Sequence, residues 1–368
     1  MAGALVARVR ARAAPDGEPH LVTTEDGWTL TVWRFRPVGE PRPGPPVILG
    51  HGLMMNRWCW MLSEEGSMPL ALAARGHDVW VPEYRGAASA KAPPGAPPRR
   101  EGPKGWRFEE HAALDLPAII DAVCEVTGSE QVHWCGHSMG GLVAYRYAVE
   151  SGGERLASLV TLGSPVRFGH VRRLFGPLGE PSRHLLDVLP QVPTRLFMHA
   201  VLPATVLFPE LSMRTSGTAR YLTLDERLTL MIRAFEDGSP ALSRWFLDRW
   251  LDELPILPES LGGQHFDRLT VPTLVLAGQS DALGPPQAVR PTFVETGRTR
   301  VAYRVFGDPS APEDQRGPAL GHADLISGAV AMTWVLPQLA SWLESEDPLA
   351  LPGLHRVERD PEELDAAV

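Results

Sequence analysis

The chain has 368 residues, of which 44% are hydrophobic and 21% charged, a balance typical of a globular protein with a sizeable core. Its formal net charge of -9 argues against a nucleic-acid binder, because neutralising phosphates requires a basic surface. The cysteines Cys59, Cys124 and Cys135 lack paired spacing. They are therefore expected to be free thiols, which favours a reducing, cytoplasmic location.

Residues 1–19 are predicted to form a flexible N-terminal arm. Arg8, Arg10 and Arg12 interrupt its apolar residues, so the uninterrupted apolar centre of a secretory signal is missing. Binding of this arm to a surface is a weaker alternative. No apolar run in the chain approaches the length of a transmembrane helix.

Residues 20–165 alternate between strand and helix patterns. A β-hairpin around Asp26-Gly27 comes first. Short apolar strands of the buried parallel kind follow at "VILGHGL", "DVWVPEYRG", "QVHWC" and "LASLVTLGSP". The helices between them are predicted at "MPLALAARGH", "LDLPAIIDAVCEVTG" and "LVAYRYAVESGG".

The pattern changes at residues 166–267, where helical periodicity dominates and buried-strand runs are absent. Strands return at "VPTLVLAG" and "RVAYRVFG", and the helical "AVAMTWVLPQLASWLES" closes a second core segment at 268–346. Residues 347–368 form a polar C-terminal tail. This alternation predicts an α/β fold, a mostly parallel sheet flanked by helices and interrupted by a helical insertion.

The turn Gly136-His137-Ser138-Met139-Gly140 fits the pattern G-x-S-x-G and lies between a predicted strand and a predicted helix. A serine on such a sharp turn has unfavourable backbone dihedrals, and side chains two residues to either side would collide with neighbouring backbone. The pattern alone is weak, but this context predicts that Ser138 is a nucleophile rather than part of a plain glycine-rich loop.

A nucleophilic serine needs a base, and the base needs a carboxylate to orient it. In a sheet of this kind both follow the serine, in the order acid then histidine, at the ends of later strands. Asp281 follows "VPTLVLAG" and His322 follows "RVAYRVFG", so we predict the catalytic triad Ser138, Asp281 and His322. The weaker candidates are Asp308 and Asp324 for the acid and His355 for the base.

The oxyanion that forms on an attacked carbonyl needs N–H donors, each contributing on the order of 3 kcal/mol. The N–H of Met139, at the start of the helix after the nucleophile, and the N–H of Leu53, in the loop "GHGLMMN", are the predicted donors. His51 in that loop is expected to orient it by hydrogen bonds rather than to act as a second base. No metal-ligand or dinucleotide motif occurs, so no metal and no cofactor is predicted.

The chain resembles an α/β-hydrolase and, within that superfamily, the acid lipase group of triacylglycerol lipases and cholesteryl ester hydrolases. The resemblance is carried by "HGLMMN", "GHDVWVPEYRG", "VPTLVLAGQSDALGPP", "GHADLISG" and above all the run from Trp106 to Gly141, with its order W-x-F-E-E, D-L-P-A, T-G, G-H-S-x-G-G. The group usually has "WLGNxRG" where this chain has "WVPEYRG", and commonly Gln at the position of Met139. These departures concern lipid specificity and leave the predicted triad intact.

The resemblance implies the α/β-hydrolase fold, with residues 166–267 as a helical lid. It also implies a serine esterase or lipase that cleaves small hydrophobic esters through an acyl-enzyme. An acyltransferase, a thioesterase or a polyester depolymerase would use the same core. Polyester synthases usually carry Cys at the nucleophile position, so Ser138 favours hydrolysis. A catalytically silent binding protein is the remote alternative, and neither the natural substrate nor the oligomeric state is predicted.

The insertion is rich in large apolar side chains. At helical spacing such residues more often pack a helical unit's own core, but as a set they favour an apolar lid surface and a hydrophobic substrate. Transient contact with a lipid surface is a separate expectation. The residues are Phe197, Phe208, Met213, Tyr221, Met231, Phe235, Trp245, Phe246 and Trp250.

Overall fold

The computed structural model describes residues 15–93, 105–169, 181–207, 220–257, 268–295 and 300–356. Within them nine strands form one sheet in the order β1-β2-β4-β3-β5-β6-β7-β8-β9. The strands are β1 Glu18–Thr23, β2 Thr29–Phe35, β3 Val47–Gly50, β4 Val79–Glu83, β5 Val132–His137, β6 Leu156–Leu162, β7 Thr273–Gly278, β8 Val301–Phe306 and β9 His355–Arg356.

The centre of the sheet is parallel and its edges are antiparallel. Strands β3 to β8 pair in parallel, while the hairpin β1–β2 joins the sheet through an antiparallel β2–β4 ladder. The hairpin predicted around Asp26-Gly27 is confirmed, with Thr23 opposite Thr29 at its turn. Parallel strands place all their carboxyl ends at one edge, so the loops after β3, β5, β7 and β8 meet there.

The central strands contribute to separate cores on the two faces of the sheet, because successive side chains point to opposite faces. In β3, Ile48 packs into one core, whereas Val47 and Leu49 pack into the other. Ile119 and Leu142 cover the first face from two helices, and Leu72 and Val335 cover the second. The result is a three-layered α/β fold in which the sheet is buried on both sides, as the apolar runs predict.

The helices of the described residues flank the sheet or lie in the insertion. None of them is long and apolar enough to cross a membrane. The α-helices are Met68–Ala74, Phe108–Glu110, Leu116–Thr127, Met139–Ser151, Thr194–Leu207, Leu224–Thr229, Pro240–Asp252, Pro286–Glu295, Glu313–Arg316 and Gly328–Glu344, and residues 181–188 are also helical. Shorter π-helical or 3-10 turns are His111–Asp115, Leu230–Ala234, Arg57–Trp60, Ala323–Leu325 and Pro348–Ala350.

Two boundaries differ from the sequence prediction. The helical stretch that ends at Gly128 begins at Phe108, earlier than expected, and passes through a π-helical turn at His111–Asp115. Because Pro117 has no N–H to donate to the preceding turn, the wider π turn accommodates it. In the predicted polar tail, His355–Arg356 pairs with β8 as strand β9. Two residues are too few to produce a strand pattern in the sequence.

The predicted arm, tail and insertion are each described only in part. Most of the predicted arm and the last part of the tail, residues 1–14 and 357–368, lie outside the described residues. β1 begins at Glu18, inside the predicted arm. Between β6 and β7, the described residues hold helices and isolated bridges but no strand of the sheet. Residues 170–180, 208–219 and 258–267 of this insertion lie outside the described residues.

A buried arginine joins three parts of the core near the sheet edge. Arg85, which is 3% exposed, donates to Asp26 Oδ2 of the hairpin turn at 2.8 Å and to Asp115 Oδ1 of the π-helical turn at 2.8 Å. Asp115 is fully buried and also bonds to His111 Nδ1 at 2.8 Å. The pairing compensates carboxylate charge that burial would otherwise make unfavourable.

We expect Arg85→Ala to lower the free energy of unfolding by about 3–5 kcal/mol, because it leaves the buried Asp115 carboxylate without its cation. Urea denaturation followed by fluorescence measures the change. Arg36→Ala is the matched control: Arg36 forms an exposed ion pair with Glu18, and its loss is expected to cost less than about 1 kcal/mol. Equal losses of stability in the two variants would show that the Asp115 carboxylate does not depend on Arg85 for charge compensation.

Candidate active site

Ser138 lies on a strained turn between β5 and the helix Met139–Ser151. Its φ of 52° and ψ of -118° lie in a region that non-glycine residues rarely adopt. The Ser138 N–H donates to Leu162 O of β6 at 2.9 Å, so the sheet itself holds the strained residue. Its side chain is half-buried and lines a cavity. The predicted nucleophile is therefore both fixed and accessible.

The glycines two residues to either side are required by close backbone contacts. A Cβ on Gly140 would lie 2.5 Å from Gly50 O, and a Cβ on Gly136 would overlap the backbone of Gly140 and Gly141. Trp134 Nε1 donates to Gly140 O at 3.1 Å. A side chain at either glycine would therefore collide with neighbouring backbone, as the sequence pattern predicts.

His322 and Asp281, predicted as base and acid, are in contact. His322 Nδ1 donates to Asp281 Oδ2 at 2.7 Å, and both residues are buried. Asp281 Oδ1 accepts from the N–H groups of Leu283 at 2.8 Å and Gly284 at 2.7 Å. These bonds fix the carboxylate, and they leave His322 Nε2 as the ring nitrogen with a lone pair. His322 and Ser138 line the same cavity.

The weaker acid candidates bond other groups, and the weaker base candidate lies in another strand. Asp308 Oδ1 accepts from Ser310 N at 2.8 Å in the turn after β8. Asp324 accepts hydrogen bonds from backbone N–H groups, and His355 lies in β9 opposite Tyr303. Asp281 is thus the carboxylate that bonds the His322 ring.

His51 and His137 are buried, neutral side chains. Burial lowers the pKa of His51 to about 4, its Nδ1 donates to Gly52 O at 2.9 Å, and its Nε2 accepts from Tyr84 N at 3.3 Å. Burial lowers the pKa of His137 well below its ordinary value, and its Nε2 donates to His322 O at 3.1 Å. These bonds support the expectation that His51 orients its loop rather than acting as a base.

The predicted oxyanion donors belong to the residue that follows the nucleophile and to a residue that lines the same cavity. Met139 is the first residue of its helix, where N–H groups have no acceptor within the helix and the helix dipole favours negative charge. Leu53 lies in the loop after β3 and lines the cavity together with Ser138. The N–H groups of Leu53 and Met139 thus remain the predicted donors.

The insertion is joined to the loop that carries Leu53, a connection that sequence reasoning missed. Asn56 N donates to Ala234 O at 3.0 Å, and Glu236 N donates to Met54 O at 2.9 Å. The Asn56 side chain adds bonds to Glu236 Oε1 at 2.7 Å and Arg233 O at 2.8 Å. Most of these bonds use backbone atoms and leave no residue-type signal in the sequence.

A cavity of about 210 Å³ extends from Ser138 and His322, and its walls are predominantly apolar. Three of the predicted lid aromatics, Phe235, Phe246 and Trp250, line it. The other lining residues are Gly52, Leu53, Met55, His137, Leu142, Pro165, Phe168, Leu230, Leu283 and Ala323.

The other singled-out apolar residues of the insertion that the structure describes are not among those that line the cavity. Trp245 stacks on Phe108 of the core, with ring centroids 4.1 Å apart. Phe197 and Tyr221 are exposed, and Met231 is half-buried. Phe208 and Met213 lie outside the described residues.

Gly163, directly after β6, is a further residue that sequence reasoning missed. Its φ is 57°, and a Cβ there would lie 2.8 Å from Asp281 Oδ2 and 3.1 Å from His322 Nδ1. The position therefore has to be glycine for the acid–histidine pair to fit beside the end of β6. Its only sequence signal is a glycine directly after a buried strand, in "TLGSP".

This chain belongs to the alpha/beta hydrolase fold family, whose model matches residues 45–308. A model of a partial alpha/beta-hydrolase lipase region matches residues 15–64. The fold and the lipase-group resemblance expected from the sequence are thereby confirmed.

Among known proteins, the chain is similar to triacylglycerol lipase 2 of Arabidopsis thaliana, with 28% identity over 45% of this chain and 41% of that protein. It is 35% identical to human gastric triacylglycerol lipase over 35% of this chain and 33% of that protein. Human lysosomal acid lipase/cholesteryl ester hydrolase is 30% identical over 47% of this chain and 45% of that protein. The chain thus spans less than half the length of these curated relatives.

Solved structures show the same fold at low identity. An esterase from Thermogutta terrifontis, solved with malate bound, gives a TM-score of 0.55 at 20% identity and covers 89% of this chain and 98% of that one. The thioesterase domain from the curacin biosynthetic pathway gives a TM-score of 0.54 at 18% identity and covers 87% of this chain and 98% of that one.

We expect Gly163→Ala to lower kcat/KM for an ester substrate by about tenfold or more, because the added methyl group displaces the Asp281–His322 pair. Steady-state kinetics on the folded variant measures the loss. Gly152→Ala is the matched control: Gly152 also has a positive φ, 78°, but a Cβ there meets no atom within 4 Å. Both variants carry backbone strain, so equal kinetics would show that Gly163 does not act through the pair.

Proposed function

We propose that this protein is a carboxylic-ester hydrolase that cleaves hydrophobic esters through an acyl-enzyme. The observation that carries the proposal is the convergence of the strained Ser138 and the bonded His322–Asp281 pair on one apolar cavity. The similarity to proteins named as triacylglycerol and acid lipases supports the same reaction class.

In the proposed mechanism, His322 Nε2 accepts the hydroxyl proton while Ser138 Oγ attacks the ester carbonyl carbon. The Asp281 carboxylate holds the ring through Nδ1 and stabilises the imidazolium. The N–H groups of Leu53 and Met139 stabilise the oxyanion. When the tetrahedral intermediate collapses, the imidazolium returns its proton to the leaving alcohol, and the acyl group stays on Ser138. Water activated by His322 then releases the acid and restores the serine.

The substrate class follows from the walls of the cavity. The side chains of Leu142, Phe168, Leu230, Phe246 and Trp250 offer an apolar surface beside the nucleophile. An acyl chain buried there leaves water, which stabilises the complex by about 0.8 kcal/mol per methylene. A hydrophobic acyl chain is therefore the favoured occupant.

A reducing compartment and a cytoplasmic location stay predictions. Cys59, Cys124 and Cys135 are buried free thiols, and burial raises the pKa of Cys59 and Cys135 well above the ordinary thiol value. Such thiols behave as apolar core side chains rather than as reactive groups.

We predict that the protein hydrolyses p-nitrophenyl esters and prefers medium or long acyl chains to acetate, because each added methylene is buried in the cavity. Release of p-nitrophenol measures kcat/KM for each chain length. Ser138→Ala is expected to abolish turnover, whereas Ser341→Ala, at an exposed helical serine, retains it. A sharp optimum at acetate would overturn the proposed substrate class, and Ser138-independent turnover would overturn the mechanism.

A matched pair of variants tests whether the cavity holds the acyl chain. Leu230→Trp adds bulk to the cavity wall and is expected to lower kcat/KM for a long-chain ester more than for acetate. Leu224→Trp makes the same change one helical segment earlier, at a side chain that is 37% exposed, and should leave the chain-length profile unchanged. An unchanged profile in both variants would place the acyl chain elsewhere.

A further inference from the structure

Asp324 is a buried carboxylate that the proposed mechanism does not use. It lies two residues after His322, in the 3-10 turn Ala323–Leu325, and is fully buried. Its Oδ2 accepts from Gly321 N at 2.8 Å and from Arg220 N at 2.8 Å, and its Oδ1 accepts from Tyr221 N at 3.0 Å. Among the described residues, no ion pair involves Asp324.

These bonds connect two segments that are distant in sequence. Gly321 immediately precedes His322, whereas Arg220 and Tyr221 belong to the insertion. From Tyr221 the insertion continues through Leu230 and Phe235, which line the cavity, to the residues that bond the Leu53 loop. Asp324 therefore fastens one end of this part of the insertion to the loop that carries His322.

Burying a carboxylate without a cation is unfavourable, so the position needs a compensating arrangement. Burial raises the pKa of Asp324, and the backbone N–H groups of Tyr221, Arg220 and Gly321 act in the opposite direction. A neutral side chain would avoid the desolvation cost, but it would not present two acceptor oxygens to donors from both segments. The carboxylate therefore serves to bond the backbone N–H groups of the two segments rather than to fill space in the core.

We propose that Asp324 is a positioning residue for His322. By accepting the Gly321 N–H and the two N–H groups of the insertion, its carboxylate fixes the backbone on one side of His322. On the other side of the residue, the His322 carbonyl is fixed by His137 Nε2 at 3.1 Å. Together these bonds hold the base at the Ser138 end of the cavity. The inference rests on the proposed function, because the position of His322 affects the rate only if His322 acts as the base.

The test is a double-mutant cycle between Asp324 and His322. Asp324→Asn replaces one acceptor oxygen with an N–H₂ group that faces backbone donors, and it is expected to lower kcat about tenfold or more while KM changes little. In the His322→Ala background no imidazole is left to be positioned, so Asp324→Asn should cause no further loss of the residual rate. The labelling rate of Ser138 by a fluorophosphonate should follow the same non-additive pattern.

Asp308→Asn is the matched control for loss of a carboxylate, because Asp308 bonds Ser310 outside the cavity; its kinetics should be unchanged. A second pair covers the possibility that Asp324→Asn does not fold. Tyr221→Pro removes one N–H donor and leaves the carboxylate, whereas Tyr221→Ala keeps that N–H. We expect only the proline variant to lower kcat, with the loss again absent in the His322→Ala background.

The outcomes separate the two claims. A wild-type protein that neither turns over esters nor labels at Ser138 would overturn the proposed function, and this inference with it. Wild-type turnover combined with additive losses from Asp324→Asn and His322→Ala would overturn the inference alone, because the carboxylate would then act independently of the base. Unchanged kcat in a folded Asp324→Asn variant would do the same.

Discussion

The rest of the site depends on one backbone constraint, the positive φ of Ser138. β5 and its helix meet at this single residue, and the bond from Ser138 N to Leu162 O links the turn to the neighbouring strand. The flanking glycines let the turn approach the loop after β3, whose Leu53 lines the same cavity as Ser138. Strain of this kind costs about 1–3 kcal/mol. It persists because the buried side chains on both faces of the sheet hold the surrounding backbone in place.

The insertion is an integral part of the candidate site. Its segment from Tyr221 to Glu236 is bonded at one end to Asp324 and at the other to the loop that carries Leu53. Between these ends it supplies cavity wall through Leu230 and Phe235. The same segment therefore connects the loops of the proposed base and of one proposed oxyanion donor. A movement of the insertion that breaks these bonds would alter the chemistry as well as access.

Sequence patterns predicted the central strands, because short apolar runs between helices are typical of a parallel sheet buried on both faces. They also identified Asp281 and His322, which the structure brings into contact, since the order of loops along such a sheet is restricted. The two-residue strand β9 and the early helix start at Phe108 carried too little pattern to be found. The roles of Gly163 and Asp324 depend on distances and backbone donors from other segments, which residue types do not encode.

The central claim is that Ser138 carries an acyl group during turnover. The most direct measurement mixes the protein with a medium-chain p-nitrophenyl ester, quenches the reaction during the first turnover and determines the intact mass and the modified peptide. We predict a burst of p-nitrophenol, with the acyl mass on the peptide that contains Ser138. Continued ester hydrolysis with no acyl adduct under conditions where deacylation is slowed, or an adduct on another residue, would contradict it.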